Sequence, residues 1–257
     1  MAGAAFAEFS APSAWRAIDF LSDLHLADDT PRTFDAFAAH LRHTSADAVF
    51  ILGDLFEVWV GDDARHESRE AECAAVLTEA SARKTVGFMV GNRDFLVGAE
   101  MLDACGVMAL ADPLVISAFG ERVLLTHGDA LCLSDLDYQR FREQVRSDEW
   151  QRDFLARPLA ERRRIARDIR TQSREHKTMA ERWVDVDAAA AVQWMRRAFT
   201  PTMIHGHTHM PRSEALAPGF VRHVLSDWDF DHSRAARADV LRWQRGGITR
   251  MAPATAA

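Results

Sequence analysis

The sequence predicts a layered α/β fold on three observations. Short, β-rich apolar runs alternate with longer stretches of helical period. The 257 residues are 48% hydrophobic and 27% charged, an ordinary globular composition that is long enough for a large core. Each predicted strand also stops in a loop of Asp, Asn, His and Gly residues.

In chain order, strands are predicted at 17–21, 48–52, 85–90, 122–126 and 202–204. A helix follows the first strand, with Thr30 as N-cap, Pro31 in the first helical position, and Phe34, Phe37, Ala38 and Leu41 spaced by three and four. A second helix is predicted over 64–82. Segments 215–225 and 240–251 read as additional strands, the last pair turning at Gly246-Gly247. From 135 to 183 the pattern is wholly helical, with Tyr138, Phe141, Val145, Trp150, Phe154, Leu155, Ile165 and Ile169 as scattered apolar positions. Between Arg157 and Arg182 nine basic residues face four acidic ones, so this stretch reads as an inserted basic cap on one domain spanning 1–257. No repeat at a period of 20–50 residues interrupts the order.

Composition narrows the function. The net charge of −7 and the lack of a long basic stripe disfavour nucleic acid as a partner, and no obligate protein partner is evident. No run approaches the roughly 18 apolar residues of a membrane span, and the Ala-rich start lacks a basic n-region, so the chain is placed in the cytoplasm. Cys73, Cys105 and Cys132 form neither a disulfide framework nor a thiolate zinc site, and are read as reduced packing residues.

The chemistry lies where strands stop. The first strand is followed by Ser22-Asp23-Leu24-His25, the second by Gly53-Asp54, the third by Gly91-Asn92-Arg93-Asp94, the fourth by His127-Gly128-Asp129 and the fifth by His205-Gly206-His207-Thr208-His209. In an open α/β sheet such loops converge in one crevice, delivering Asp23, His25, Asp54, Asn92, His127, His205 and His207 together. Taken singly, an Asp after a strand is an N-cap or turn residue, and each Gly is a loop residue. Taken together, carboxylates and neutral imidazoles in one place need a cation. Oxygen and imidazole donors favour Mn, Fe, Zn or Mg-type ions, and seven donors exceed the usual share of one ion, so two are inferred. Asp94 and Asp129 either orient imidazoles or build turns. His209 either supports the shell or caps the turn, and His40, His43, His66, His223 and His232 are read as surface residues.

The order D-x-H, GD, GN-[R/H]-D, H-G-D, GH-x-H over Asp23 to His209 resembles the calcineurin-like metallophosphoesterase superfamily. That resemblance implies a β-sandwich core flanked by helices, with a dinuclear centre. Arg93 stands where the common superfamily form has a His, the usual candidate to protonate the leaving group. Three stretches are similar to a narrower family, the UDP-2,3-diacylglucosamine hydrolases of lipid A biosynthesis: residues 55–63, residues 91–96 and residues 127–132.

Carried over, the resemblance implies one metal on Asp23, His25, Asp54 and His207 and another on Asp54, Asn92, His127 and His205, most simply Mn2+. It places Asn92, Arg93 and His205 as catalytic, and Asn92, Arg93, Asp135, Ser173, Lys177 and His205 as substrate contacts. It implies cleavage of the nucleotide pyrophosphate to UMP and 2,3-diacylglucosamine 1-phosphate by two-metal activation of water, at the cytoplasmic face of the inner membrane with peripheral lipid contact. The alternatives are a metallophosphoesterase acting on nucleotides or phosphoproteins and a non-catalytic scaffold.

Overall fold

The computed structural model describes residues 6–179 and 184–256, and the side chains outside 171–183. These residues form two six-stranded sheets packed face to face. In the first sheet β2 (Ala17–Leu21), β3 (Ala48–Leu52), β4 (Thr85–Met89) and β5 (Met108–Leu110) run parallel, and β11 (Val240–Gln244) and β12 (Gly247–Met251) extend the β2 edge antiparallel. The second sheet has β1 (Ala7–Ser10), β6 (Leu114–Ala118), β7 (Glu121–Thr126), β8 (Thr202–His205), β10 (Phe220–Val224) and β9 (Arg212–Ala217) in that order.

The strand sequences explain the layering. Every residue of β2 and β3 is buried, because both faces of that sheet are covered. Ile18, Phe20, Phe50 and Leu52 meet Ile116, Val123, Leu125 and Ile204 between the sheets. The other face packs on α1 (Pro31–His43), α2 (Ser68–Ser81) and α3 (Ala99–Cys105) through Phe37, Leu41, Leu77 and Leu102. The second sheet packs on α7 (Ala188–Arg197) through Val115, Leu124 and Met203 against Ala191 and Met195. Asp19 is the polar exception within β2. Arg242, its partner across β11, donates to both of its oxygens at 2.7 and 2.8 Å, and the Thr44 hydroxyl adds a third bond at 2.5 Å.

The predicted cap is three helices, α4 (Leu136–Val145), α5 (Asp148–Leu155) and α6 (Leu159–Met179). Asp135 and Ser147 cap the first two, accepting from the Tyr138 and Trp150 amides.

Several expectations change. The helix predicted over 64–82 is broken at Glu67 into a 3-10 turn, Asp62–His66, and α2. Thr30 sits at the N-cap of α1, but its hydroxyl turns back to Ala27, and the free amides of Arg32 and Thr33 are met by Asp231 at 3.0 and 2.9 Å. β1, β5, β6, α3 and α7 are additional to the predicted elements.

His40 is fully buried on the inner face of α1, not on the surface. Its Nδ1 accepts the Ala254 amide at 3.1 Å, leaving the proton on Nε2, which lies 3.4 Å from Asp19. Burial, aided by Arg242 and Lys84 and opposed by Asp19, lowers its pKa to about 4. The neutral ring therefore contributes stability that is present above the unfolded value near 6.5 and lost as pH falls toward 4, up to about 3 kcal/mol. His40→Gln should show a shallower fall in melting temperature than wild type between pH 7 and pH 5, and parallel curves would contradict this account.

Candidate metal centre

The C-terminal ends of β2, β3 and β4 from one sheet and of β7 and β8 from the other open on the same edge of the sandwich, where the two sheets meet. The loops there are locally strained. Of the eight non-glycine residues with positive φ among the described residues, five are Asp23, His25, Asp54, His207 and His209, with φ between 51° and 66°. Left-handed backbone at Asp and His costs free energy and persists where the surroundings over-determine it.

Hydrogen bonds supply that determination. The amides of Asp23, Leu24 and His25 donate to the carbonyls of Gly53 and Asp54 at 2.9–3.1 Å, fastening the first loop to the second. Asp94 accepts from the amides of Gly91 and Leu55 at 2.7 and 2.8 Å and from Asp54 and Phe56 at 3.3 Å. Of its two readings it therefore builds the turn. Burial and the charge of Asp54 raise its pKa to about 6. Gly91 is needed because a Cβ there would overlap the Asp54 carboxylate.

Two groups of donors result, each with its atoms within 4.8 Å of one another: Asp23, His25 and His209, and Asp23, Asp54 and His127. His209 Nε2 lies 3.3 Å from both Asp23 Oδ1 and His25 Nε2. Asp54 stands between the imidazoles of the two ends, Oδ2 at 3.9 Å from His25 Nε2 and Oδ1 at 3.7 Å from His127 Nε2. Asn92 Oδ1 joins the second end, 3.0 Å from His127 Nε2 and 2.7 Å from His207 Nδ1. The His207 amide donates to Asp23 at 2.9 Å.

His205 is placed differently. It is fully buried, but its Nδ1 lies 2.9 Å from the carbonyl of Gly206, and its electrostatic neighbours include Arg222 and Asp185 besides Asp23. It makes none of the donor contacts just described. His209, left open between support and capping, is the residue drawn in beside Asp23 and His25. Its signal was present in the sequence: Gly206-His207-Thr208-His209 reads as GH-x-H as it stands. His205, as the last residue of β8, points with the strand's own alternation, whereas His207 and His209 lie beyond it in left-handed backbone.

The field of the cluster fits a cation. Burial raises the cost of charge on Asp23, yet His209, His127 and His25 outweigh it and hold its carboxyl far below the usual range. Burial opposes charge on His127 as well, but Asp54, Asp23 and Asp129 carry its pKa up to about 9. Buried carboxylates that favour a proton on a neighbouring imidazole equally favour a metal ion among them. Burial lowers His25 to about 4 and His207 to about 3, leaving both as neutral donors at pH 7. The residues present thus fit a hard or borderline divalent ion.

Of the other predicted residues, Arg93 is half-buried, and its amide donates to Asp54 Oδ1 at 2.8 Å. Asp135 is the N-cap of α4. The side chains of Ser173 and Lys177 lie outside the described residues. Asp129 orients no imidazole: Oδ2 accepts from the Tyr138 hydroxyl at 2.6 Å and from Arg142 at 2.8 Å, tying α4 to the loop after β7. The Tyr138 ring stacks on His207 with centroids 5.9 Å apart. No helix among the described residues is long and apolar enough to cross a membrane.

Residues 17–211 match the calcineurin-like phosphoesterase family. The UDP-2,3-diacylglucosamine hydrolase of Chromobacterium violaceum is 43% identical over 238 residues, covering 90% of this chain and 97% of its own. That of Ralstonia nicotianae is 42% identical over 243 residues, covering 90% of each. Among solved structures, vacuolar protein sorting 29 of Cryptosporidium parvum overlaps 92% of this chain and 89% of its own at 15% identity, with a TM-score of 0.47. With the motifs in order along the chain and curated relatives matched over nine-tenths of it, the protein is a metal-dependent hydrolase of the calcineurin-like phosphoesterases and belongs, within them, to the UDP-2,3-diacylglucosamine hydrolase family.

Proposed function

We propose that the chain hydrolyses the pyrophosphate bond of UDP-2,3-diacylglucosamine, giving UMP and 2,3-diacylglucosamine 1-phosphate. The observation that carries this reading is a buried cluster of carboxylates and imidazoles at the seam of the two sheets, beside a basic helical cap, in a chain whose curated relatives carry that activity in their names. Two divalent ions, Mn2+ in this proposal, would be held by Asp23, His25, Asp54 and His209 at one end and by Asp54, Asn92, His127 and His207 at the other. This differs from the sequence expectation in moving the histidine pair two residues along. His205 then has a packing role, and neither a catalytic nor a substrate-contact role is proposed for it.

When bound, such a pair supplies an acidified water and neutralises nonbridging phosphoryl oxygens. The protein's own residues do the rest. Asp54, fixed by the Arg93 amide, presents one carboxylate oxygen toward each end. Neutral His25 and His207 donate lone pairs without first losing a proton. The Arg93 guanidinium is permanently charged, so it stabilises charge on the attacked phosphoryl group and does not act as the acid. A phosphate monoester leaves without needing a proton donor, which accounts for Arg in the position of the superfamily His. Asp135, Ser173 and Lys177 are proposed as cap contacts to the substrate. Asn92 serves both the ion and the substrate. The chain is read as one domain, 1–257, with 135–183 as its cap. It works at the cytoplasmic face of the inner membrane, touching lipid peripherally because its substrate is acylated.

The test offers the purified chain UDP-2,3-diacylglucosamine and a soluble UDP-sugar with added Mn2+, beside sedimentation with anionic vesicles. Rapid release of UMP from the acylated substrate alone and partial recovery with the vesicles are expected. Equal rates on both substrates would reject acyl recognition, and a protein wholly in the supernatant would reject membrane contact.

A further inference from the structure

The cap touches the donor cluster at a point that the ligand set does not explain. Glu57 follows the second strand-end loop, in Leu55-Phe56-Glu57. Its Oε2 lies 3.0 Å from Nδ1 of His25. An ionised carboxylate only accepts, so Nδ1 carries the ring proton and Nε2 is left as the lone pair, facing Asp54 and Asp23 at 3.9 and 4.0 Å. The Glu57 amide is held by the carbonyl of Leu26 at 3.1 Å. Arg170, on α6, completes the fixation from the cap: its guanidinium pairs with Glu57 Oε1 and also donates to the Glu57 carbonyl at 3.0 Å. One cap arginine therefore grips both the main chain and the side chain of the residue that sets the tautomer of His25.

We infer that Glu57 and Arg170 are positioning residues that couple the seating of α6 on the body to the orientation of His25 and so to cation binding at its end of the cluster. The inference rests on the two-ion reading above. Its physical basis is that a carboxylate bonded to a ligating imidazole fixes the ring and raises its basicity, and loss of such a partner weakens metal affinity by roughly 10- to 100-fold. Arg170 and His25 share this one carboxylate. If Arg170 leaves, Glu57 gains rotamer freedom and His25 loses its fixed partner. Linkage then works in both directions: the seated helix favours the cation, and the cation favours the seated helix by the same factor. The other end has its own ties, since Arg146, the C-cap of α4, donates to the carbonyl of Gly91 at 2.8 Å and the Tyr138 ring stacks on His207, but neither contact is a hydrogen bond to a ring nitrogen.

The experiment titrates Mn2+ into full-length wild type, Glu57→Gln and Arg170→Met, following free Mn2+ by electron paramagnetic resonance, and measures hydrogen exchange over residues 159–170 with and without the ion. Wild type should bind two ions. Both variants should hold one ion with unchanged affinity and the other about tenfold more weakly. Mn2+ should slow exchange over 159–170 in wild type and have little effect in Glu57→Gln. If Glu57→Gln fails to fold, Arg170→Met decides alone, since its substitution lies on the cap. Failure of wild type to bind Mn2+ would overturn the two-ion reading itself. Normal binding by wild type with equal affinities in the variants, or exchange over 159–170 indifferent to Mn2+, would overturn the coupling and leave that reading standing.

Discussion

Asp54→Asn should abolish turnover and reduce bound Mn2+ from two ions to one or none. Asp54 is buried, and its two oxygens face imidazoles of different ends, Oδ2 toward His25 and Oδ1 toward His127. Removing its charge takes away several kcal/mol of transition-state stabilisation, roughly a thousandfold or more in rate. The fold should survive, because the Arg93 amide still has an oxygen to bond and Asp94 is relieved of a neighbouring negative charge. Activity and metal content are read together with the melting temperature of the metal-free protein. A variant that keeps two ions and normal turnover would remove Asp54 from the bridging position.

The second large effect separates two histidines four residues apart. His209→Ala deletes a donor atom 3.3 Å from both Asp23 and His25, so one ion should bind at least tenfold more weakly, with turnover falling accordingly. His205→Ala empties a fully buried site and leaves the Gly206 carbonyl without its ring partner, so it should cost about 2–4 kcal/mol of stability with metal stoichiometry unchanged. Metal analysis and thermal unfolding of the two variants give opposite patterns if this placement holds. Loss of an ion in His205→Ala with none in His209→Ala would restore the assignment first read from the sequence.

The contrast shows what was legible in the sequence and what was not. Short apolar runs followed by Gly, Asp or His exposed β2, β3, β4, β7 and β8, because a strand buried on both faces, as β2 and β3 are, has little polar alternation to confuse the pattern. The same runs located six of the seven proposed ligands. The seventh was masked by geometry: three histidines alternate at 205, 207 and 209, and only backbone beyond the strand end separates the one that packs from the two that turn inward. β1 is mostly exposed and has four residues, β5 has three and α3 has seven, so their windows are too short for periodicity to register. His40 was misread because a histidine among helix polar residues resembles a surface one, while its burial depends on Asp19, Arg242 and a C-terminal segment that sequence spacing does not bring near.

The donor groups divide between the two sheets, with Asp23, His25, Asp54 and Asn92 after strands of one and His127, His207 and His209 after strands of the other. Neither leaf owns a complete set. Among the described residues no strand of one leaf pairs with a strand of the other, so their alignment at this edge depends on interlocked side chains, on single bonds such as that from the Trp228 amide to the Asp23 carbonyl at 3.0 Å, and on whatever these seven groups grasp in common. A captured cation pair would act as a rivet through the laminate, so that a chelator loosens the hinge line of the whole body and not merely its reactive pocket.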